Sequence, residues 1–278
     1  MIDFIGIGAQ KSGTSWAYAC LYEHPQICAP IKEIHFFSRS RFEKGQVWYE
    51  HHFRNCDATK LKGEFSTSYL YSEDASLRIK QMYPEVKLIA ILRNPLDRAV
   101  SHYKNAIKSG EISDTVTFDT FAQQDKSVLE QGKYAQQLER YYAHYKKEQV
   151  LVLVYEDIKR NEEAFMQTIY AFLGIDTAFI SSMLHTEINI ARVPKAVYVD
   201  RIMHHVSESL RKVGFDALVH TIRKSGLPDL VRSHNTKPEQ AVIVDTKALQ
   251  NYFEEDVAKL SVLLERDMKT EWGIHHEA

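Results

Sequence analysis

With 278 residues, 44% of them hydrophobic and 26% charged, the chain has the make-up of a globular protein long enough to bury a sizeable core. Its formal net charge of -2 excludes a general basic footprint for nucleic acid, so any attraction for anions has to be local. The three cysteines, Cys20, Cys28 and Cys56, are scattered and lack C-x-x-C spacing, which argues against a disulfide framework and against a zinc site. No run of about 18 apolar residues occurs, so no transmembrane segment is expected. The opening MIDFIGIGAQ already reads as a strand and leaves no room for a charged leader with an apolar segment; the expected compartment is the cytoplasm.

The first predicted element is an apolar strand from Phe4, which runs into a turn bracketed by Gly8 and Gly13 and then into a helix from Gly13 to about Glu23. Such a turn aims successive backbone N–H groups and the positive end of a helix at one point, which suits a phosphate or sulfate. The stretch departs from the nucleotide triphosphate loop, G-x-x-x-x-G-K-[ST]. Thr14 stands where the lysine belongs, Lys11 comes two residues before the second glycine, and Ser15 takes the slot of the magnesium ligand. The strand predicted over Val86 to Arg93 ends in arginine rather than in a metal-binding aspartate. The pattern is that of a modified P-loop without a metal, and an arginine at that place suits a second anion.

His24-Pro25 ends the first helix, and Pro30 keeps the following loop extended through Lys32 to Phe37. Residues 38 to 60 read as a loop with a short helix about Gln46 to Phe53, Lys62 to Thr67 as a short strand, and Asp74 to Tyr83 as a helix. Val86 to Arg93 is a continuous apolar run of the kind found in the middle of a parallel sheet. Asn94 as cap and Pro95 in the first turn open a helix that carries Ser101 about two turns in. Residues 109 to 132 read as polar and irregular. Tyr134 to Lys146 is a helix with Leu138, Tyr141, Tyr142 and Tyr145 on its packed side; Gln149 to Tyr155 is a third buried strand, and Ala164 to Leu173 a helix closed by Gly174. Residues 176 to 245 are less regular, with Val199, Ile202, Met203, Val206 and Leu210 at helix spacing. A last amphipathic helix carries Leu249, Phe253, Val257, Leu260 and Leu264 on one stripe. Strands alternating with helices imply a central parallel sheet covered on both faces, a three-layer α/β/α fold in a single domain, 1–278.

Three ordered motifs carry a family resemblance. Gln10-Lys11-Ser12-Gly13-Thr14-Ser15-Trp16 resembles the loop by which sulfotransferases that use 3′-phosphoadenosine 5′-phosphosulfate (PAPS) hold the 5′-phosphosulfate. Leu92-Arg93-Asn94-Pro95-Leu96-Asp97-Arg98-Ala99-Val100-Ser101 is similar to their 3′-phosphate site, with arginine and serine eight positions apart. Lys32-Glu33-Ile34-His35-Phe36-Phe37 resembles the catalytic segment of the branch that sulfates glycans, the heparan sulfate O- and N-sulfotransferases. The resemblance implies the P-loop NTPase-like sulfotransferase fold, PAPS as donor co-substrate, no metal, and a hydroxyl acceptor on a carbohydrate or glycolipid. It further implies that the basic loop Arg192-Val193-Pro194-Lys195 folds over the 3′-phosphate and that Trp16 stacks on adenine, with core packing of the first helix as the alternative. Family members commonly carry G-E-K-[ST] where this chain has Glu64-Phe65-Ser66, so one positive contact to the donor is missing. Golgi members in animals carry a membrane anchor, so a bacterial enzyme or an excised domain is expected.

Sulfuryl transfer is an in-line displacement at a small, highly charged centre, helped by positioning and by cations near the oxygens that gain charge. Lys11 is the expected partner of the bridging and sulfate oxygens, with N–H groups from Ser12 to Ser15 and the hydroxyls of Thr14 and Ser15 on the phosphate. Arg93, at the end of a buried strand, needs a counter-charge; the 3′-phosphate supplies it with help from the Ser101 hydroxyl, and an ion pair with Asp97 is the structural alternative. Arg98 either assists or stands at the surface. The acceptor hydroxyl needs a base opposite the leaving group. Glu33, 22 positions after Lys11, takes the place the resemblance gives to that base. His35 shares its side if the segment is extended, and is the second candidate. Rival readings are a P-loop small-molecule kinase, a sulfotransferase of a non-sugar small molecule, and a non-catalytic nucleotide-binding module.

Overall fold

β1 (Phe4–Gly8) is the middle strand of a five-stranded sheet of order β2-β3-β1-β4-β5, completed by β2 (Ile27–Cys28), β3 (Leu61–Phe65), β4 (Lys87–Leu92) and β5 (Val150–Val154). Every pairing is parallel: Phe4 lies opposite both Gly63 and Lys87, and Leu88 to Leu92 lie opposite Val150 to Val154. Parallel strands are covered on both faces, which is why FIGIG is buried at every position and KLIAIL at all but its first. Gly6 lets the Phe65 ring cross β1; a Cβ there would meet that ring at 2.0 Å.

The structure, a computed structural model, describes residues 1–186, 193–194, 236–237 and 246–274. The chain falls into two compact units, Met1–Ala99 with Asp125–Ile188 and Asp245–Ala278, and Val100–Gln124 with Asn189–Val244. The sheet belongs to the first. Its Phe4, Phe65, Ile89 and Ile91 form one core with Ala17, Cys20 and Leu21 of α1 (Thr14–Glu23), Ile158 of α8 (Tyr155–Arg160) and Phe165, Ile169 and Leu173 of α9 (Glu162–Leu173). Asn161 starts α9 by accepting the Ala164 N–H, and Gly174 at φ 80° ends it. A second helical group joins α7 (Tyr134–Tyr142) to α3 (Ala75–Met82) and to α10 (Thr246–Leu264), whose Phe253, Val257 and Leu260 are fully buried. Each such side chain contributes about 1.5–3 kcal/mol.

In the second unit α4 (Pro95–Ser109), which starts in the first, continues from Val100. Tyr103 packs on Phe118 and Phe121 of α5 (Phe118–Gln124) and donates to the Val116 carbonyl at 2.6 Å. A short antiparallel ladder pairs Val193–Pro194 with Thr236–Lys237. The helix expected around Val199 to Leu210 lies outside the described residues.

Several local expectations are corrected. Residues 109–132 are not irregular throughout: Phe118 and Phe121, and separately Val128, supply the buried faces of α5 and of α6 (Ser127–Glu130). β5 passes without a turn into α8, and Met268–Trp272 adds a short helix, α11, after α10. Cys28 and Cys56 form a disulfide, with Cα atoms 5.8 Å apart, although no framework was expected. It ties edge strand β2 to the loop that follows α2 (Gly45–Glu50). Cys20 is buried as the free thiol. Among the described residues no helix is long and apolar enough to cross a membrane.

Candidate functional site

The carboxyl ends of β1, β3 and β4 lead into the loop Ala9–Gly13, the turn after Phe65, and Arg93–Asn94. The strand order changes direction across β1, between β3 and β4, which is where ligands bind in open α/β sheets.

Gly13 takes φ 80°, a left-handed conformation, and a Cβ there would stand 2.8 Å from the Tyr155 ring. α1 begins at Thr14 with no side chain capping its first N–H groups and no acid in its first turn, so its positive end is open to an anion. Ser12 and Thr14 are buried in this loop, and Lys11 and Ser15 are half-buried. Arg93 reaches the same loop. Its Nη1 donates to the Lys11 carbonyl at 3.2 Å, and its guanidinium lies 4.7 Å from the centre of the Tyr155 ring that packs at Gly13. Asp97, the alternative partner, is 4.0 Å away on a side chain that is 55% exposed, too long for a hydrogen bond and worth little as an ion pair.

Lys32 to Phe37 runs beside the turn after β3. It is not extended, because Glu33 and His35 both take left-handed conformations, φ 62° and 53°. The two side chains still meet: His35 Nε2 is 3.4 Å from Glu33 Oε2. The Glu33 carboxylate accepts the Thr67 N–H at 3.0 Å and the Thr67 hydroxyl at 3.1 Å, and the Lys32 ammonium donates to it at 2.5 Å. Burial, with the charges of Arg39, Arg41 and Lys32, holds the His35 imidazole below its ordinary pKa against the pull of Glu33, which leaves the ring neutral at pH 7.

His35 Nδ1 is 2.7 Å from Ser68 Oγ, which is 2.6 Å from Ser38 Oγ. Ser38 and Ser68 also line an open cleft of about 720 Å³ with Arg39, Lys133 and Arg140, and the carboxylates Glu73 and Glu130 bring the opposite charge. Arg140 donates to the carbonyls of Leu70 and Tyr71, and Tyr71 donates to Glu130 at 2.6 Å, so the wall is fixed by its own hydrogen bonds.

Other expected residues fall elsewhere. Trp16 is 7% exposed, packs against Phe165 and donates from Nε1 to the Met183 carbonyl, which is the core packing named above as the alternative. Arg98 is not at the surface: it is fully buried, with Nη2 on the Val128 carbonyl, and burial lowers its pKa. Phe65, in the place of the family's lysine, is fully buried. Ser101 is carried by α4 within the second unit. Arg192 and Lys195 lie outside the described residues. The turn Ser66-Thr67-Ser68-Tyr69, which holds Glu33 and His35, carries no motif of its own; its signal in the sequence is four hydroxyls in a row directly after a strand.

The family model described as a sulfotransferase domain matches residues 2–216. The chain is 28% identical over 194 residues to the bifunctional heparan sulfate N-deacetylase/N-sulfotransferase 4 of Mus musculus, covering 62% of this chain and 22% of that protein. It is 29% identical over 178 residues to heparan sulfate glucosamine 3-O-sulfotransferase 3B1 of Homo sapiens, covering 61% and 45%. The chain therefore spans less than half the length of either curated relative. Among solved structures, a sulfotransferase from Alicyclobacillus acidocaldarius is similar at TM-score 0.67 and 24% identity over 98% of this chain and 99% of that one. The sulfotransferase domain from the curacin biosynthetic pathway is similar at TM-score 0.51 and 14% identity over 68% and 79%. These two likenesses concern the fold. With the family model covering most of its length, the chain belongs to the sulfotransferase family.

Proposed function

We propose that the chain transfers the sulfuryl group of PAPS to an acceptor hydroxyl of a carbohydrate or glycolipid, acting as one domain and without a divalent ion. The observation that carries this reading is the contact of Arg93 with the Lys11 carbonyl, which brings a second cationic group to the loop at the open end of α1. That combination fits a nucleotide with two separate anions. Lys11, the N–H groups of Ser12 to Ser15 and the Thr14 and Ser15 hydroxyls hold the 5′-phosphosulfate, and Arg93 holds the 3′-phosphate. When bound, the donor supplies an activated sulfuryl group on a phosphate leaving group.

Glu33 takes the proton of the acceptor hydroxyl, held for that task by Thr67 and Lys32. His35, neutral and tied to Ser68, orients the acceptor and is the second candidate for the base. Lys11 offsets the charge that the leaving phosphate gains. The cleft beside Ser38 and Ser68 takes the acceptor: a hydroxyl-bearing wall with charges of both signs suits a sugar better than a flat phenol. Both relatives named above carry heparan sulfate in their names, which supports a carbohydrate acceptor. The disulfide weighs against the expected cytoplasmic placement, because such bonds persist in oxidising surroundings.

Transfer of radiolabelled sulfate from PAPS to a panel of oligosaccharides, glycolipids and phenols tests the reading. Glu33→Gln is expected to keep affinity for 3′-phosphoadenosine 5′-phosphate (PAP) while losing transfer by about 100-fold or more. Full transfer in that variant moves the base to His35, and no transfer by the wild type to any acceptor overturns the proposal.

A further inference from the structure

The turn that carries Glu33 and His35 is held through its backbone by two hydroxyls. The His35 N–H donates to Ser66 Oγ at 2.9 Å, and the Phe36 N–H donates to the Tyr69 hydroxyl at 2.9 Å. A hydroxyl oxygen that accepts from an N–H has to send its own proton elsewhere. Both send it to one residue: Ser66 donates to Glu64 Oε2 at 2.6 Å, and Tyr69 donates to Glu64 Oε1 at 2.6 Å. Tyr49 adds a third donor, at 3.2 Å from Oε1.

Glu64 lies in β3 and is fully buried, and the partners of its carboxylate are hydroxyls rather than cations. Burial pushes its pKa up to about 7 against the pull of those three hydroxyls. A buried carboxylate without a cation is costly to the fold, so stability does not account for an acid at this place. What it does instead is orient. When the carboxyl is ionised both of its oxygens act as acceptors, so the protons of Ser66 and Tyr69 point at Glu64 and their lone pairs are left facing the N–H groups of His35 and Phe36.

We infer that Glu64 is a positioning residue for sulfuryl transfer: its carboxylate sets the hydroxyl directions of Ser66 and Tyr69 and thereby holds the left-handed turn that aims Glu33 and His35. The inference rests on the reading of those two residues as the groups that meet the acceptor. Glutamine keeps the shape but sets an NH₂ donor against one of the hydroxyls, whose proton then turns towards the loop N–H and removes its acceptor. Aspartate keeps the charge on a stem one methylene shorter.

The test combines amide hydrogen exchange with steady-state transfer in Glu64→Gln, Glu64→Asp and Tyr69→Phe. Glu64→Gln is expected to speed exchange at the His35 and Phe36 amides by about tenfold or more while leaving the amides of Leu88 to Ile91 unchanged. Counted per PAP-binding site, so that unfolded protein drops out, kcat falls by about 100-fold with the donor KM nearly unchanged. Glu64→Asp recovers part of kcat, and Tyr69→Phe speeds exchange at Phe36 more than at His35. If Glu64→Gln does not fold, Tyr69→Phe carries the same test. Unchanged exchange at both amides, or a kcat per binding site equal to wild type, overturns the inference. A wild type that transfers nothing from PAPS defeats the functional reading instead, and the exchange result then stands alone for Glu64.

Discussion

Arg93 donates through Nη1 to the backbone carbonyl of Lys11 at 3.2 Å, although the two residues are 82 positions apart in the chain. The arginine at the end of β4 and the lysine of the loop after β1 are thereby parts of one local structure. Tyr155 is its floor, with Gly13 packed at one side of the ring and the guanidinium 4.7 Å from its centre.

Arg93→Ala is expected to weaken PAP binding by about 10- to 100-fold, the loss of one charge-assisted contact. Gly13→Ala brings a Cβ to 2.8 Å from the Tyr155 ring at a residue with φ 80°, at a cost of about 2 kcal/mol, and also shifts the platform under Arg93. Calorimetric titration and thermal melting measure the two effects. A Gly13→Ala variant that melts and binds like wild type would contradict this packing.

Glu64 gives the stability a defined pH dependence. Its folded pKa is about 7 against the ordinary 4.5, so between those values the folded state holds a proton that the unfolded chain has released. Stability therefore falls as pH rises through that window, by about 3 kcal/mol in all, and none of this penalty is present below it. Melting curves of the wild type and of Glu64→Gln across pH 4 to 8 should diverge, the wild type losing several degrees more. Parallel curves would show that the carboxyl keeps its ordinary value.

The disulfide closes a loop that contains Glu33, His35 and α2. Cys56→Ser, or reduction, is expected to cost about 3 kcal/mol through the freedom returned to the unfolded chain. Titration of thiols in the denatured, unreduced protein should find Cys20 alone. Three reactive thiols without reductant would show the bond to be absent.

The sequence makes the sheet legible where burial on both faces forces an unbroken apolar run, as in Leu88 to Leu92; Val150 to Val154 carries such a run too, although as the edge strand it is only half-buried from Leu151 to Leu153 rather than buried throughout. β2 is hidden because two residues carry no period, and α8 because nothing punctuates its junction with β5. The loop Ala9–Gly13 is legible because glycines and a helix start are local features. The rest of the site is not local. In the sequence Glu64 is marked only as part of the Glu64-Phe65-Ser66 run, and only the fold shows Ser66, Tyr69 and Tyr49 around it. Extended backbone is the natural expectation for Ile31 to Phe37 after Pro30, yet contacts with the Ser66–Ser68 turn hold Glu33 and His35 left-handed. Cys28 and Cys56 pair because β2 and the loop after α2 come together in space, which a separation of 28 residues does not announce.

On the proposed reading, two anions of one nucleotide, and no divalent ion, satisfy Lys11 and Arg93. Titration calorimetry of the wild type with PAP in the presence of a chelator, set beside ATP with magnesium, tests it most directly. PAP should bind at least about tenfold more tightly than ATP with magnesium, and the chelator should not weaken it. Tighter binding of ATP with magnesium, or loss of PAP binding on chelation, would contradict the account and favour a small-molecule kinase.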